Sequence, residues 1–225
     1  MRLTEASLCG YCGEPATEIE HVIARQFFPA ADHERKKNIP RIPACRACNA
    51  AKQKSEDTMG VFLTVSSSDE SAKKVMEERI GRTLRKNQRI RRLIRDNLVA
   101  TESGVGFGVP LDEQGEEIDF WDWLVRGLYY YELQTPMRVD EDLHIALVDV
   151  KGPLERSRPL MPVRRNVQYR TYAGKDMQTY FSVDGDRQCW LIEFRNRKIL
   201  VTNVIEAGSQ LEQDLHEMPR YRLSR

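Results

Sequence analysis

Cys9-Gly10-Tyr11-Cys12 and Cys45-Arg46-Ala47-Cys48 decide how the first part of this chain folds. The two pairs have the same internal spacing, and a turn in each brings two sulfurs towards one point. Disulfides do not persist in a reducing cytoplasm, so the two pairs favour one tetrahedral zinc ion held by thiolates at about 2.3 Å. We therefore predict a structural Zn²⁺ site formed by Cys9, Cys12, Cys45 and Cys48.

The spacing of the pairs bears on the alternatives. A single Cys-x-x-Cys is also a thioredoxin-like redox motif, but that interpretation needs a βαβ context and leaves the second pair unexplained. The 32 residues between Cys12 and Cys45 exceed the roughly 15 to 20 of a simple zinc ribbon, so we expect a folded insert between the pairs. Cys189 lies in an apolar run and is interpreted as a small buried residue.

The insert contains short elements with polar residues at their ends. Residues 17–23 alternate polar and apolar side chains and predict a strand that carries Glu20 and His21. A polar loop with Asn38 follows, and the prolines of residues 39–43 predict extended chain. Good helix formers after Cys48 predict a helix. The predicted order is strand, loop, strand, helix.

This segment, from Cys9 to about Asp57, resembles the HNH nuclease module of the ββα-metal type in its zinc-stabilised form. The resemblance covers about a quarter of the chain. It rests on the two cysteine pairs, Glu20-His21-Val22-Ile23, Asn38, Asn49 directly after Cys48, and Lys52.

The resemblance implies a metal-dependent DNA endonuclease that acts on double-stranded DNA. It assigns His21 as the general base that activates water, and Glu20 and Asn49 as ligands of a catalytic Mg²⁺ or Mn²⁺ ion. It places Asn38 in the loop beside the base. Many family members carry Asp where this chain has Glu20 and a second His on the final helix where it has Asn49, so the metal preference stays open.

Each of these residues also has a simpler interpretation. His21 can be a packed histidine, and Asn49 can cap the helix, a common use of Asn. The alternative to a nuclease is a non-catalytic zinc knuckle that binds nucleic acid or a protein partner.

Beyond the zinc segment, residues 73–95 carry ten Lys and Arg against two Glu and have apolar residues at helical intervals. We predict an amphipathic helix, interrupted near Asn87, whose arginines bind DNA phosphates. A solvated basic helix lying on the acidic residues 112–122 is the alternative. The predicted nucleic-acid contacts are Lys52, Arg82, Arg85, Arg89 and Arg92.

The whole chain is predicted to be an α+β protein in three parts: a zinc-bound HNH module (1–60), a helical segment with the basic helix (69–135), and an antiparallel β-rich domain (140–210). Aromatic residues predict a buried helix over 118–132, and residues 104–110 are interpreted as a turn-rich linker. Three roles are open for the C-terminal sheet: it binds a protein partner, selects a target, or completes the core.

Composition limits the location of the protein. The chain has 225 residues with a net charge of +1, and no apolar stretch approaches the roughly 20 residues of a membrane-spanning helix. Its N-terminus lacks the apolar core of a secretory signal. We therefore expect no membrane insertion and a cytoplasmic location.

Overall fold

The computed structural model describes residues 3–4, 6–65, 67, 70–96, 98–101, 104–107, 116–137, 143–147, 152–195 and 197–203. Within these ranges the protein is a mixture of helices and antiparallel sheets, in agreement with the predicted α+β class. None of the helices in this part of the chain combines the length and apolarity needed to cross a bilayer. The helices are α1 (His33–Lys37), α2 (Arg46–Val65), α3 (Glu70–Val75), α4 (Gly81–Lys86), α5 (Gln88–Asp96) and α6 (Glu116–Leu133). The strands are β1 (Glu18–His21), β2 (Arg41–Ala44), β3 (Leu98–Thr101), β4 (Gly104–Phe107), β5 (His144–Leu147), β6 (Gln168–Tyr172), β7 (Met177–Asp184), β8 (Arg187–Phe194) and β9 (Arg197–Thr202).

The N-terminal elements follow the predicted order. β1 pairs antiparallel with β2, with Glu20 opposite Ile42 and His21 opposite Arg41. α2 begins at Arg46, directly after Cys45, and includes Cys48. It continues to Val65, beyond residue 60, where the predicted zinc module ends. The loop between the strands contains a 3-10 turn and the short helix α1, which the sequence did not predict.

The basic region is a series of helical pieces. A π-helical segment, Met76–Ile80, joins α3 to α4. α4 ends at Lys86, and Asn87 has an extended conformation (φ −101°, ψ 96°). The Asn87 side-chain oxygen accepts a hydrogen bond of 3.1 Å from the Ile90 amide, which caps α5. The predicted interruption near Asn87 is confirmed.

One local prediction is wrong. Residues 104–107 form β4, which pairs antiparallel with β3, and are therefore a strand of a hairpin instead of a turn-rich linker. Pairing with the backbone of β3 gives these residues a ladder of hydrogen bonds, and this tertiary contact overrides the weak strand preference of glycine. Residues 108–110 lie outside the described residues.

The C-terminal strands form the predicted antiparallel sheet. Its order is β5-β9-β8-β7-β6, so β9, β8 and β7 each have a neighbouring strand on both sides. A tight turn joins β7 to β8, and Gly185 adopts the positive φ of 62° that this turn requires. The stacked rings of Phe181 and Trp190 lie on neighbouring strands, with centroids 4.6 Å apart.

One hydrophobic core connects the parts of the molecule. It includes residues of the zinc segment, of α6 and of the C-terminal sheet. Phe27 packs edge to face against Phe120 of α6 and Phe194 of β8, with ring centroids 5.7 and 5.6 Å apart. Tyr11, between the first two cysteines, packs against Trp123 at 5.1 Å. The predicted buried helix over 118–132 is confirmed as α6, which packs against α2 and β2.

Candidate metal centre and adjoining site

The four paired cysteines come together in space. Their sulfur atoms all lie within 4.8 Å of one another, and Cys12 Sγ is 3.8 Å from Cys45 Sγ. Four thiolates at about 2.3 Å from a tetrahedral zinc ion place their sulfurs about 3.8 Å apart. All five cysteines of the chain are outside disulfides. The predicted cluster is confirmed, and it can hold a structural metal ion such as zinc.

Backbone hydrogen bonds shape both turns of the cluster. In the first turn the Cys9 amide donates to the Glu14 carbonyl at 2.6 Å, and Gly13 has a φ of +78°, which glycine adopts at low cost. The Gly10 amide donates to the Pro43 carbonyl at 2.8 Å, which ties this turn to β2. The sulfurs therefore converge because the first turn is attached to the strand that leads into the second.

The second turn is the start of α2. The Cys48 amide lies 3.4 Å from Cys45 Sγ, and the Asn49 amide donates to the Cys45 carbonyl at 3.1 Å. Cys45 is thus the residue that precedes the helix, and the interpretation of Asn49 as its cap is wrong. A helix N-terminus favours negative charge, so this position suits a thiolate.

A buried lysine is the main feature that the sequence did not predict. Lys52 is 1% exposed, and its Nζ lies 2.9 Å from Glu20 Oε1 and 2.9 Å from the His21 carbonyl oxygen. It also donates to the Glu56 carboxylate. An ammonium has three donors, and these three contacts use them all.

The position of Lys52 corrects one prediction. Its ammonium is enclosed by Glu20, Glu56 and the His21 carbonyl, so it does not reach a nucleic-acid phosphate. Burial raises the pKa of Glu56 to about 7, although the Lys52 ammonium acts in the opposite direction. We call Glu20, Lys52 and Glu56 the buried triad.

His21 lies at the end of β1 and is partly buried. Burial lowers its pKa; the Glu20 carboxylate raises it, and the charges of Arg25, Arg41 and Lys52 lower it further. The imidazole is therefore mainly neutral near pH 7. Cationic side chains lie close enough to affect it.

Of the three predicted catalytic groups, Glu20 and Asn49 lie on the facing sides of β1 and α2, whereas the His21 side chain lies on the other face of β1. Neighbouring residues of a strand project to opposite faces, so Glu20 points to α2 while His21 leaves the other face beside Arg41. Asn49 lies three residues before Lys52, and residues at this spacing share one face of a helix. Lys52 contacts Glu20, so Asn49 lies on the face of α2 that packs on the end of β1.

Asn38 follows α1 and has an exposed side chain. Its backbone carbonyl accepts a hydrogen bond from the Ala173 amide at 3.3 Å, which connects this loop to the C-terminal part of the chain. Its role beside His21 stays a prediction.

The four predicted DNA-binding arginines are exposed on α4 and α5. Arg82 donates to the Glu78 carbonyl at 2.6 Å, and Arg89 donates to the Thr58 hydroxyl at 2.9 Å. Of the acidic segment proposed as their alternative partner, residues 112–115 lie outside the described residues. Asp122 is buried and pairs with Arg126 at 2.8 Å.

No protein-family model, curated protein or solved structure matches this chain. The resemblance to HNH nucleases therefore stays a prediction that rests on the sequence motif. The structure adds the four-sulfur cluster, the buried triad and the cationic surroundings of His21.

Proposed function

We propose that this protein is a metal-dependent endonuclease that hydrolyses phosphodiester bonds in double-stranded DNA. His21 is the general base, and Glu20 and Asn49 hold a Mg²⁺ or Mn²⁺ ion. One observation carries the proposal: Lys52 of α2 contacts both the Glu20 carboxylate and the His21 backbone, on the helix face that also carries Asn49. Cys48 of the four-cysteine cluster directly precedes Asn49 in α2.

The surroundings of His21 suit proton transfer near a phosphate. A neutral imidazole accepts a proton from water, and a well-placed general base contributes roughly 10²- to 10⁴-fold in rate. Arg25 and Arg41 are exposed and lie close enough to His21 to lower its pKa. Their positive charges would attract the phosphate whose ester bond is to be cleaved.

The oxygen donors fit a hard divalent ion. Carboxylate and amide oxygens are ligands for Mg²⁺ and Mn²⁺, which keep several waters and share their shell with substrate phosphates. Such an ion neutralises charge on the phosphoryl oxygens when it is bound. Lys52 occupies Oε1 of Glu20, and a ligating carboxylate is commonly oriented by such an outer hydrogen bond. Lys52 is then a positioning residue for Glu20.

A plasmid nicking assay tests the proposal. We expect wild-type protein to nick supercoiled DNA with Mg²⁺ or Mn²⁺, and His21→Ala to lose at least about 100-fold in rate. His33→Ala is the matched control, because His33 is an exposed histidine in α1. Zinc content and circular dichroism should be equal in all three proteins. Absence of metal-dependent nicking by the wild type, or full activity of folded His21→Ala, would overturn the proposal.

A non-catalytic zinc knuckle that binds nucleic acid is the second candidate. It is favoured by the ion pair that already engages Glu20 and by the opposite directions of the Glu20 and His21 side chains. In that case DNA affinity would be unchanged in His21→Ala, and no metal would produce nicked plasmid.

A further inference from the structure

A groove of about 730 Å³ lies between the loop at Ala30 and the helical run that includes α4. Its lining is rich in positive charge: three cationic side chains stand against one carboxylate. The lining residues are Ala30, Glu78, Arg79, Arg82, Thr83 and Lys86.

The π-helical segment builds one wall of this groove. Glu78 and Arg79 both belong to it, and π-helical insertions are frequent at functional sites. The Glu78 carboxylate accepts a hydrogen bond of 2.7 Å from the Ala30 amide, which attaches the loop to the helix. The groove has a net positive charge because Arg79, Arg82 and Lys86 outnumber this one carboxylate.

The positive charge continues from the groove towards His21. The Lys36 ammonium donates to the Ala30 carbonyl at 2.6 Å, on the same loop residue that Glu78 contacts. Burial lowers the pKa of Lys36, and the charges of Arg79 and Arg25 lower it further; Glu78 and Asp32 raise it. Arg25 lies four residues after His21 and begins the 3-10 turn Arg25–Phe27, which leads towards the loop at Ala30. Arg25 thus lies on the stretch of chain that runs from the candidate base to the groove, and Lys36 contacts the groove residue Ala30.

We propose that the groove, Lys36 and Arg25 form a continuous track that binds the phosphate backbone of one DNA strand and leads it to His21. An open row of spaced cations suits a polymer with repeated phosphates, because each cation neutralises one phosphate and releases its counterions. The destination of the track rests on the proposed nuclease function. Its affinity for DNA does not.

The track differs from the arginines predicted from the sequence. Arg82 lines the groove, whereas Arg85 and Arg92 are exposed outside its lining. This separation supplies matched controls on the same helical run. Two triple variants remove the same charge, Arg79→Gln/Arg82→Gln/Lys86→Gln in the groove and Arg85→Gln/Arg91→Gln/Arg92→Gln outside it.

Fluorescence anisotropy with a duplex oligonucleotide tests the track. Every protein is the full chain in the His21→Ala background, without added divalent metal, so that cleavage does not interfere. The logarithm of the affinity should fall with log salt by about 0.9 per phosphate neutralised. We expect the groove triple to reduce this slope by about 2 to 3 and the outer triple to leave it close to the starting value. Arg25→Gln/Lys36→Gln should reduce it by about 1 to 2.

Equal losses in the two triples would overturn the track, because total charge alone would then explain binding. An unchanged slope in the groove triple, with zinc content and circular dichroism intact, would also overturn it. The two proposals fail separately. If the groove binds DNA but wild-type protein nicks no plasmid, only the nuclease proposal is overturned. If the groove triple, made in the protein that retains His21, nicks plasmid at the wild-type rate, only the track is overturned.

Discussion

The buried ammonium of Lys52 and the carboxylate of Glu20, whose side chain is 15% exposed, form an ion pair of 2.9 Å. The pair joins α2 to β1, and the Glu56 carboxylate completes the buried triad from one turn further along α2. Glu20, predicted as a metal ligand, and Lys52, predicted as a nucleic-acid contact, thus bind each other directly. The geometry of the candidate site depends on this contact.

Removal of the lysine should strongly destabilise the protein. Lys52→Met leaves Glu20 and Glu56 without their cation, and breaking a buried pair in this way costs about 3 to 5 kcal/mol. Denaturant unfolding measures the free energy of unfolding. Lys54→Met is the control on the exposed side of the same helix and should change it by less than about 1 kcal/mol. Equal effects of the two substitutions would contradict the importance of the triad.

Stability should depend on pH through Glu56. Its pKa is about 7 in the folded protein and about 4.3 in an unfolded chain. The folded state therefore binds more protons between these values, so this contribution to stability is complete below about pH 4 and is lost as the pH rises through about 7.

Glu56→Gln imitates the protonated carboxyl group and removes this dependence. The difference in unfolding free energy between wild type and Glu56→Gln should move against the wild type by up to about 1.4 kcal/mol per pH unit across this window. Urea unfolding of both proteins from pH 4.5 to 8 measures it, and subtraction cancels the pH dependence of zinc binding. A difference that stays constant with pH would contradict the shifted pKa.

The cysteine cluster predicts a defined metal content. Purified protein should contain one zinc ion per chain, and Cys12→Ser should lose it and unfold its N-terminal part, because structural zinc supplies on the order of 10 kcal/mol in small zinc domains. Cys189→Ala is the control, since Cys189 is buried in β8 and does not belong to the cluster. Elemental analysis after gel filtration gives the content. Zinc retained by Cys12→Ser at the wild-type level would contradict the assignment.

The close packing of α6 on the zinc segment gives a prediction for two glycines. A Cβ atom added to Gly127 would lie 2.8 Å from a Val22 methyl group and 3.3 Å from the Tyr11 ring. Gly127→Ala should therefore lower the melting temperature and reduce the free energy of unfolding by about 1 to 3 kcal/mol.

Gly81 is the matched helical position. A Cβ atom there meets no atom within 4 Å, so Gly81→Ala should stabilise the protein by about 0.5 to 1 kcal/mol through helix propensity. Differential scanning calorimetry compares the two. Stabilisation by both substitutions would show that α6 approaches Val22 and Tyr11 less closely than described.

Local patterns predicted most of the elements. Alternating side chains predicted β1 and the C-terminal strands, and the cysteine spacing predicted the cluster, because both signals lie within short stretches of sequence. The buried triad was missed because Lys52 and Glu56 have the spacing of an ordinary exposed helix pair. Only the packing of α2 on β1 places them inside. The groove was missed for a similar reason, since Ala30 and Glu78 meet across 48 residues of sequence.

Phe27 connects the zinc segment to α6 and to the C-terminal sheet, so the packing of this segment depends on later parts of the chain. Its ring lies between α6 and β8, and its carbonyl accepts a hydrogen bond from Arg195, just after β8. A fragment that stops after α2 would open this aromatic ring, together with Tyr11, to water. The zinc segment therefore depends on the rest of the chain. Transferred to another protein, it would need a replacement for the apolar surface that α6 and β8 provide.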